Sequence, residues 1–503
     1  MGALANPRWP LWTLVLVTAA LYAPTARFDF VHYDDPHYFY GPPQVRQGFT
    51  FGTLRWAVTN TDGDYWHPVG SIVHLLAFTV FPLDPGVQHC VTVGIFLAAL
   101  AAWYAVLRGA TVSPQVAFVA AALWAWHPLR VESVAWLTER GAVVAALFAV
   151  MSIRAYVRYA RRPSIRRYAL VALWFTFALL SKPTLPALPV ALLAADAWPL
   201  GRLQSAWRER RWRGPARLLL EKVPLLLIAL GVVILTLKLT SAPGHHRPRL
   251  STIDRVLALP SGYGWFLVKT VLPTGLSVQH PWSNRWPPVL AVLSAGVLVA
   301  MTACVAWSRR APLIAGWIWF LVMLLPMLAG APLRASWVAG RYALLPHLLL
   351  VAGVVGAIRW TRAATVVVSG VLAMLVVASA VQLQHWRNSE ALFAHALAVT
   401  RDNAIVHHNL GVALHEQGRV AEAAVHFRRA VEIDPDYLEA QVNLGAMLEI
   451  MGDRAGAEKH YRQAVRIDPA DPDARANLDA LLAGGAGGAG GAATSRRATE
   501  EAR

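Results

Sequence analysis

From Leu11 to Gln384 the chain is an almost unbroken series of apolar runs separated by short polar breaks, with tryptophan scattered throughout. Several runs reach the roughly 20 apolar residues that a helix needs to cross a bilayer. The pattern predicts membrane spans near 11–21, 88–107, 114–126, 140–158, 166–181, 184–200, 221–240, 288–307, 312–330, 342–358 and 363–384, or about eleven in all. The run 256–273 is ambiguous and reads as re-entrant or surface-lying, and the first run lacks a cleavage site and reads as a retained span. Beyond residue 385 the apolar positions thin out and begin to repeat.

The repeat is specific. Leu410, Gly411, Ala423, Phe427, Ala430 and Pro435 return as Leu444, Gly445, Ala457, Tyr461, Ala464 and Pro469, at the period of about 34 residues that marks tetratricopeptide repeats. Backward extension finds Phe393 and Ala396, a half repeat over 388–400, and forward extension finds Leu478 in a closing helix that ends near Leu482. The predicted fold is therefore all-α: a polytopic helical membrane domain over 1–385, then a repeat solenoid over 386–482 with units at 404–437 and 438–471. The Gly/Ala-rich tail, 483–503, reads as disordered.

Composition agrees and adds direction. Hydrophobic residues make up 56% of the chain and charged residues 15%, which excludes an ordinary soluble protein of this size. Cys90 and Cys304 both lie in apolar runs and offer neither a disulfide framework nor a metal-ligand pair. The formal net charge of +17 comes from the loops of residues 1–385, while the repeat segment is net acidic, so nucleic acid is not an expected partner. Two loops are densely cationic, Arg154 to Arg167 and Arg202 to Arg217. The positive-inside bias makes both cytoplasmic, which puts the amino terminus inside and the repeats outside. On that topology the polar groups hardest to explain all fall on the outer face: Asp34, Asp35, His67, His127, Glu132, Glu139, Arg140, Lys182, Arg334 and Arg341. Arginine far outnumbers lysine and alanine is abundant, which points to a GC-rich bacterium, its inner membrane and an undecaprenyl carrier.

Each group has two readings. The pair Asp34-Asp35 stands just past the first span, in the first outer loop at 25–89, and offers a general base for a hydroxyl, or else an Asp-Pro turn. Arg341, at the mouth of a late span, can grip a phosphate with paired hydrogen bonds or snorkel to headgroups, and Lys182 between two spans has the same alternatives. His67, His127, Glu132 and Arg140 orient substrate or tie helix ends together. The tryptophans read as an interfacial belt rather than sugar-stacking platforms. Asn409, Asn443 and Asn477 share one register on the first helix of successive units, a position suited to binding the backbone of an extended peptide or simply tolerant of asparagine.

The ordered motifs Phe30-Val31-His32-Tyr33-Asp34-Asp35-Pro36, Leu54-Arg55-Trp56-Ala57, Trp66-His67-Pro68, His127-Pro128-Leu129-Arg130-Val131-Glu132-Ser133-Val134-Ala135-Trp136, Ser181-Lys182-Pro183 and Gly340-Arg341-Tyr342-Ala343-Leu344-Leu345-Pro346 carry a resemblance. Residues 28–385 resemble the membrane domain of the transmembrane and tetratricopeptide-repeat O-mannosyltransferase family, within the GT-C glycosyltransferase superfamily. The resemblance implies a polyprenyl-phosphate-linked sugar donor, inverting transfer on the non-cytoplasmic face, a catalytic acid at Asp34 or Asp35, and Arg341 on the donor phosphate. The chain departs from the family in reading Gly141-Ala142 where relatives carry Lys-Asp, and Gly340 where an acid precedes the Arg-Tyr pair.

The leading expectation is a membrane glycosyltransferase acting on Ser or Thr hydroxyls of proteins held in the repeat groove. A divalent cation on the acid pair is compatible with its hard oxygen ligands and is not required. The competing expectations are a non-catalytic repeat scaffold for envelope assembly and an enzyme like the O-antigen ligases or polymerases.

Overall fold

The computed structural model describes residues 9–36, 38, 41–60, 66–110, 112–210, 213–239, 252–281, 287–330 and 336–484. Arg334, most of the polar segment 245–255 and all but the start of the expected disordered tail lie outside the described residues. Helices account for every regular element among the described residues, which agrees with the all-α expectation. The chain forms two compact units: Met1–Phe28, Phe49–Thr274 and Trp286–Gln384 make the first, and Asp29–Gly48, Gly275–Arg285 and His385–Arg503 the second.

In the first unit, helices Trp9–Tyr22, Pro85–Gly109, Arg140–Arg161, Val223–Leu239, Pro288–Ser308, Ala311–Gly330 and Arg362–Gln384 form the long bundle. Among the described residues seven helices are long and apolar enough to cross a membrane. Four more of the expected spans are helical but short, at Pro114–Ala125, Ile165–Ser181, Leu188–Ala197 and Pro346–Gly356, of 12, 17, 10 and 11 residues. Length and hydropathy together therefore pick out fewer helices than hydropathy alone, because hydropathy marks a buried core helix and a lipid-spanning one alike. Pro114–Ala125 shows why: Ala117, Ala120, Ala121, Ala122, Trp124 and Ala125 are all fully buried, so this run is apolar because protein surrounds it. The ambiguous run is a single helix, Thr252–Val271, with Pro260 inside it.

Local chemistry sets the helix ends. Asp84 caps Pro85–Gly109 by accepting from Val87 N at 2.9 Å, and Ser113 and Ser164 cap the helices that follow them. Arg158 and Arg161 close the carboxyl end of Arg140–Arg161, where cations favour the helix dipole.

In the second unit, helices Ser389–Val399, Ala404–Glu416, Val420–Ile433, Leu438–Ile450, Arg454–Ile467 and Pro472–Leu482 follow the expected repeat order. The repeated glycines are close-approach sites: a Cβ at Gly411 would come 2.8 Å from the Phe427 ring, and one at Gly445 2.6 Å from the Tyr461 ring. Each repeat therefore trades a side chain on its first helix for an aromatic on its second. The division between the units departs from a cut at residue 385. Asp29–Gly48 and Gly275–Arg285 belong with the repeats, bound by long-range contacts that no local periodicity encodes.

A buried charge cluster as candidate functional site

Two short 3-10 turns build the site in the first unit, Leu137–Glu139 and Gly340–Ala343, with the helix Val131–Ala135 and the carboxyl end of Ile165–Ser181. The Glu132 side chain is buried, and it accepts the Arg341 backbone N–H at 3.2 Å and a second hydrogen bond from Arg341 Nη1. Arg341 Nε lies 3.4 Å from Glu139 Oε1, and Lys182 Nζ donates to both oxygens of Glu139 at 2.6 Å. The Arg341 guanidinium also faces the rings of Trp136 and Tyr342, each 5.2 Å to the centroid, which favours a cation held at a fixed angle. The two cations keep 15% and 16% of their side-chain surface open, whereas Glu139 keeps 5%. The acids thus form the floor of the cluster and the bases its rim.

Burial raises the proton affinity of Glu132 above the ordinary carboxylate range, and the Arg341 charge and hydrogen bonds oppose that rise. At Gly340 a Cβ would meet Glu132 Oε2 at 2.8 Å, so a larger residue there would displace that carboxylate. The departure from an acid at this position is therefore matched to a carboxylate that already fills the space. Gly141 is tight as well, with Ser181 O 3.2 Å from the Cβ that another residue would place there.

The remaining sequence candidates have other partners. Arg140, expected as a substrate-site residue, is fully buried and donates to Thr92 Oγ1 at 2.9 Å and to Gln88 O and Oε1 at 2.8 and 2.9 Å, joining its helix to Pro85–Gly109. His127 is buried and caps the turn Pro128–Arg130: its Nδ1 accepts from Leu129 N at 3.2 Å, so Nε2 carries the proton toward Thr270 O at 3.0 Å. Burial, with the nearby Arg130 charge, pushes the His127 imidazole down to about 4, so it stays neutral. His67 stands at the start of Pro68–Val80 with Nδ1 3.1 Å from Ser71 Oγ. Among the described residues no group of three or more His, Cys, Asp or Glu converges as a metal site would.

A second cluster, which the sequence reading did not find, lies in the same unit. Tyr156 Oη donates to Asp196 at 2.7 and 2.8 Å, Lys222 Nζ donates to Asp196 Oδ2 at 2.8 Å, and Arg202 bridges Asp196 at 3.0 Å to Glu221 at 2.8 Å. An acid inside the apolar run Leu192 to Ala197 and a lysine at the head of another were the available signal, because opposite charges within apolar runs must pair.

In the second unit Asp35 is buried and its Oδ2 accepts Val31 N at 2.9 Å, closing a turn, while Asp34 is half-buried. The three asparagines share their register but not their surroundings. Asn443 is buried with its amide nitrogen 2.9 Å from His408 Nε2, whereas Asn409 and Asn477 are half-buried.

Residues 402–470 match the family model for the tetratricopeptide repeat. The repeat module thus carries the kind of helical array that commonly mediates protein–protein contacts. No curated protein matches the chain.

Proposed function

We propose that this protein is a membrane glycosyltransferase that moves a sugar from a polyprenyl-phosphate donor to Ser or Thr hydroxyls of proteins on the non-cytoplasmic face. The observation that carries the reading is the convergence of Arg341 and Lys182, far apart in sequence, on the single carboxylate of Glu139. A guanidinium braced between two rings and an ammonium beside it form a cationic rim suited to an anionic leaving group. The carboxylates beneath offset the charge of the two cations. Because burial raises the proton affinity of Glu132, that acid can take up a proton and release Arg341 toward a phosphate.

In this mechanism the acceptor hydroxyl attacks the anomeric carbon, and Asp34 or Asp35 takes its proton, a role assigned by the motif resemblance. The bond from that carbon to the phosphate oxygen breaks with inversion, and polyprenyl phosphate leaves with its new charge opposite Arg341 and Lys182. The topology rests on charge: the cationic loops begin at the Arg158 and Arg161 end of helix Arg140–Arg161, opposite the end that carries Glu139. Bacterial inner-membrane location with outward repeats belongs to the same proposal.

The test compares glycopeptides of exported proteins from cells carrying the natural gene, no gene, Arg341→Ala, or Asp34→Asn with Asp35→Asn. Loss of protein-linked sugar in the last three supports the enzyme. A second reading, a membrane-anchored repeat scaffold, is favoured by the family match, which falls on the repeats alone. Unchanged glycopeptides together with partner capture by all variants would establish that reading instead.

A further inference from the structure

The repeat stack opens on half a unit. Helix Ser389–Val399 occupies the second-helix position of its repeat, and the helix before it in the chain, Arg362–Gln384, is assigned to the first unit, so the repeat unit itself supplies no first helix for it. An end of a solenoid exposes the apolar face that the next repeat would cover and needs a cap. Two segments from the first part of the chain lie at this end. Asp29 N donates to Arg387 O at 3.0 Å, His32 N donates to Ser389 Oγ at 2.8 Å, and the Tyr33 ring meets Phe393 edge-on at 6.2 Å. From the other segment, Gln279 O accepts from Asn403 Nδ2 at 3.4 Å, and Leu276 O lies 2.9 Å from His395 Nε2. Tyr33 Oη donates to Gln279 Oε1 at 3.1 Å and links the two segments to each other. Beneath them Phe393 and Leu392 are buried, as are Val31, Asp35, Val278 and Gln279 above. His32 Nδ1 reaches the first full repeat, 2.8 Å from Glu416 Oε1.

We infer that residues 29–36 and 275–281 take the place of the missing first helix, and that the acid pair Asp34-Asp35 is thereby carried by the repeat module as part of one acceptor-handling body. His32 is the positioning residue of that arrangement: its backbone N–H fixes the loop to the half repeat, and its imidazole fixes it to the first full repeat. The turn closed by Asp35 and Val31 N then sets the direction of the adjoining Asp34. The partner that fits is a polypeptide segment bearing a hydroxyl, bound along the repeats and delivered to the acid at their open end. The chemical role of the acids rests on the function proposed above, but the seating of the loop does not.

The test uses the full chain in a background with Cys90→Ala and Cys304→Ala, since both native cysteines are exposed. His32→Cys and Glu416→Cys are introduced together and joined with a short bis-maleimide. Cross-linking should be rapid and intramolecular, and the linked protein should keep its glycosylation of acceptor within about twofold of the unlinked variant, because the loop works where it sits. Failure to cross-link overturns the seating, and a linked protein that loses transfer while the unlinked variant keeps it overturns the claim that the seated loop is the working one. Where neither form nor the natural chain transfers sugar, hydrogen exchange decides. Slow exchange at residues 29–36 that becomes fast in His32→Ala, and is restored in His32→Asn, keeps the inference, whereas exchange unaffected by these changes removes it.

Discussion

The first unit holds two buried charge clusters at opposite ends of helix Arg140–Arg161, and they are built from the same ingredients. Each sets two carboxylates against two cations: Glu132 and Glu139 with Lys182 and Arg341, Asp196 and Glu221 with Lys222 and Arg202. The turn at Glu139 and the ring of Tyr156 stand about 25 Å apart along the helix at 1.5 Å per residue. In the Tyr156 cluster a phenol sits among the charges, Lys222 is 2% exposed and Asp196 fully buried. The polar groups satisfy one another and lock Leu188–Ala197 and the head of Val223–Leu239 to Arg140–Arg161. In the Glu139 cluster the cations stand at the rim, on 3-10 turns and helix ends, with Lys182 at 16% exposure. Exposure alone does not separate the sets, since Arg202 keeps 17% of its side-chain surface open; the difference is the buried Lys222 and the phenol that tie the Tyr156 set between helices, whereas the other set is carried on turns and is the candidate site.

The largest effect expected from breaking this contrast is on stability. Asp196→Ala removes the acid that Tyr156, Lys222 and Arg202 share and leaves a buried cation uncompensated, at a cost of about 3–5 kcal/mol. Unfolding of the purified protein in detergent should show it, while the folded fraction keeps the proposed transfer activity. Arg341→Ala should do the reverse. Transfer should fall about 10²–10³-fold, the scale for losing one preorganised partner of developing charge. Its effect on stability should be smaller than that of Asp196→Ala, because burial raises the proton affinity of Glu132 and loss of the opposing Arg341 charge raises it further, which lets that acid take up a proton. Equal stability losses in the two variants, with transfer intact in Arg341→Ala, would erase the distinction between the clusters.

One side of this contrast was legible in the sequence, and the other side was not, for physical reasons. Lys182, Glu132 and Arg341 stand in polar breaks between apolar runs, where charge attracts notice, and their convergence needed only a shared membrane face. Asp196 and Lys222 were hidden because a single charge barely lowers the hydropathy of a long run, although each demanded a partner. Arg140 and His127 looked like site residues for the same reason that Arg341 did. Only the positions of Gln88, Thr92 and Thr270 show that they tie helices together. The repeat period was fully visible, since it is local. The attachment of residue 32 to residue 389 was not, because nothing in either segment's own pattern specifies the other.

A finer probe works on the floor of the Glu139 cluster without removing a charge. Gly340→Ala sets a methyl 2.8 Å from Glu132 Oε2, so either the carboxylate or the turn Gly340–Ala343 must shift. Overpacking of this kind costs about 1–3 kcal/mol. If the cluster is a site, transfer should fall further than the loss of folded protein explains, read as kcat per folded molecule. A proportional loss of both would mark the cluster as packing only.

The smallest effect is a slope. Burial raises the proton affinity of Glu132 in the folded state, so between the ordinary carboxylate range and that raised value the folded protein binds a proton that the unfolded chain has released. Stability from this group is therefore full on the acid side and declines as pH rises through the window, opposite to the usual behaviour of a salt-bridged acid. Melting temperatures measured in detergent from acidic to neutral pH should carry this decline in the natural chain and lose it in Glu132→Gln, which keeps the shape and abolishes the titration. The same profile run on Asp196→Asn should retain the decline, since Glu132 is untouched there. A decline that persists in Glu132→Gln would mean that another group titrates in this window, and the release of Arg341 by protonation of Glu132 would lose its basis.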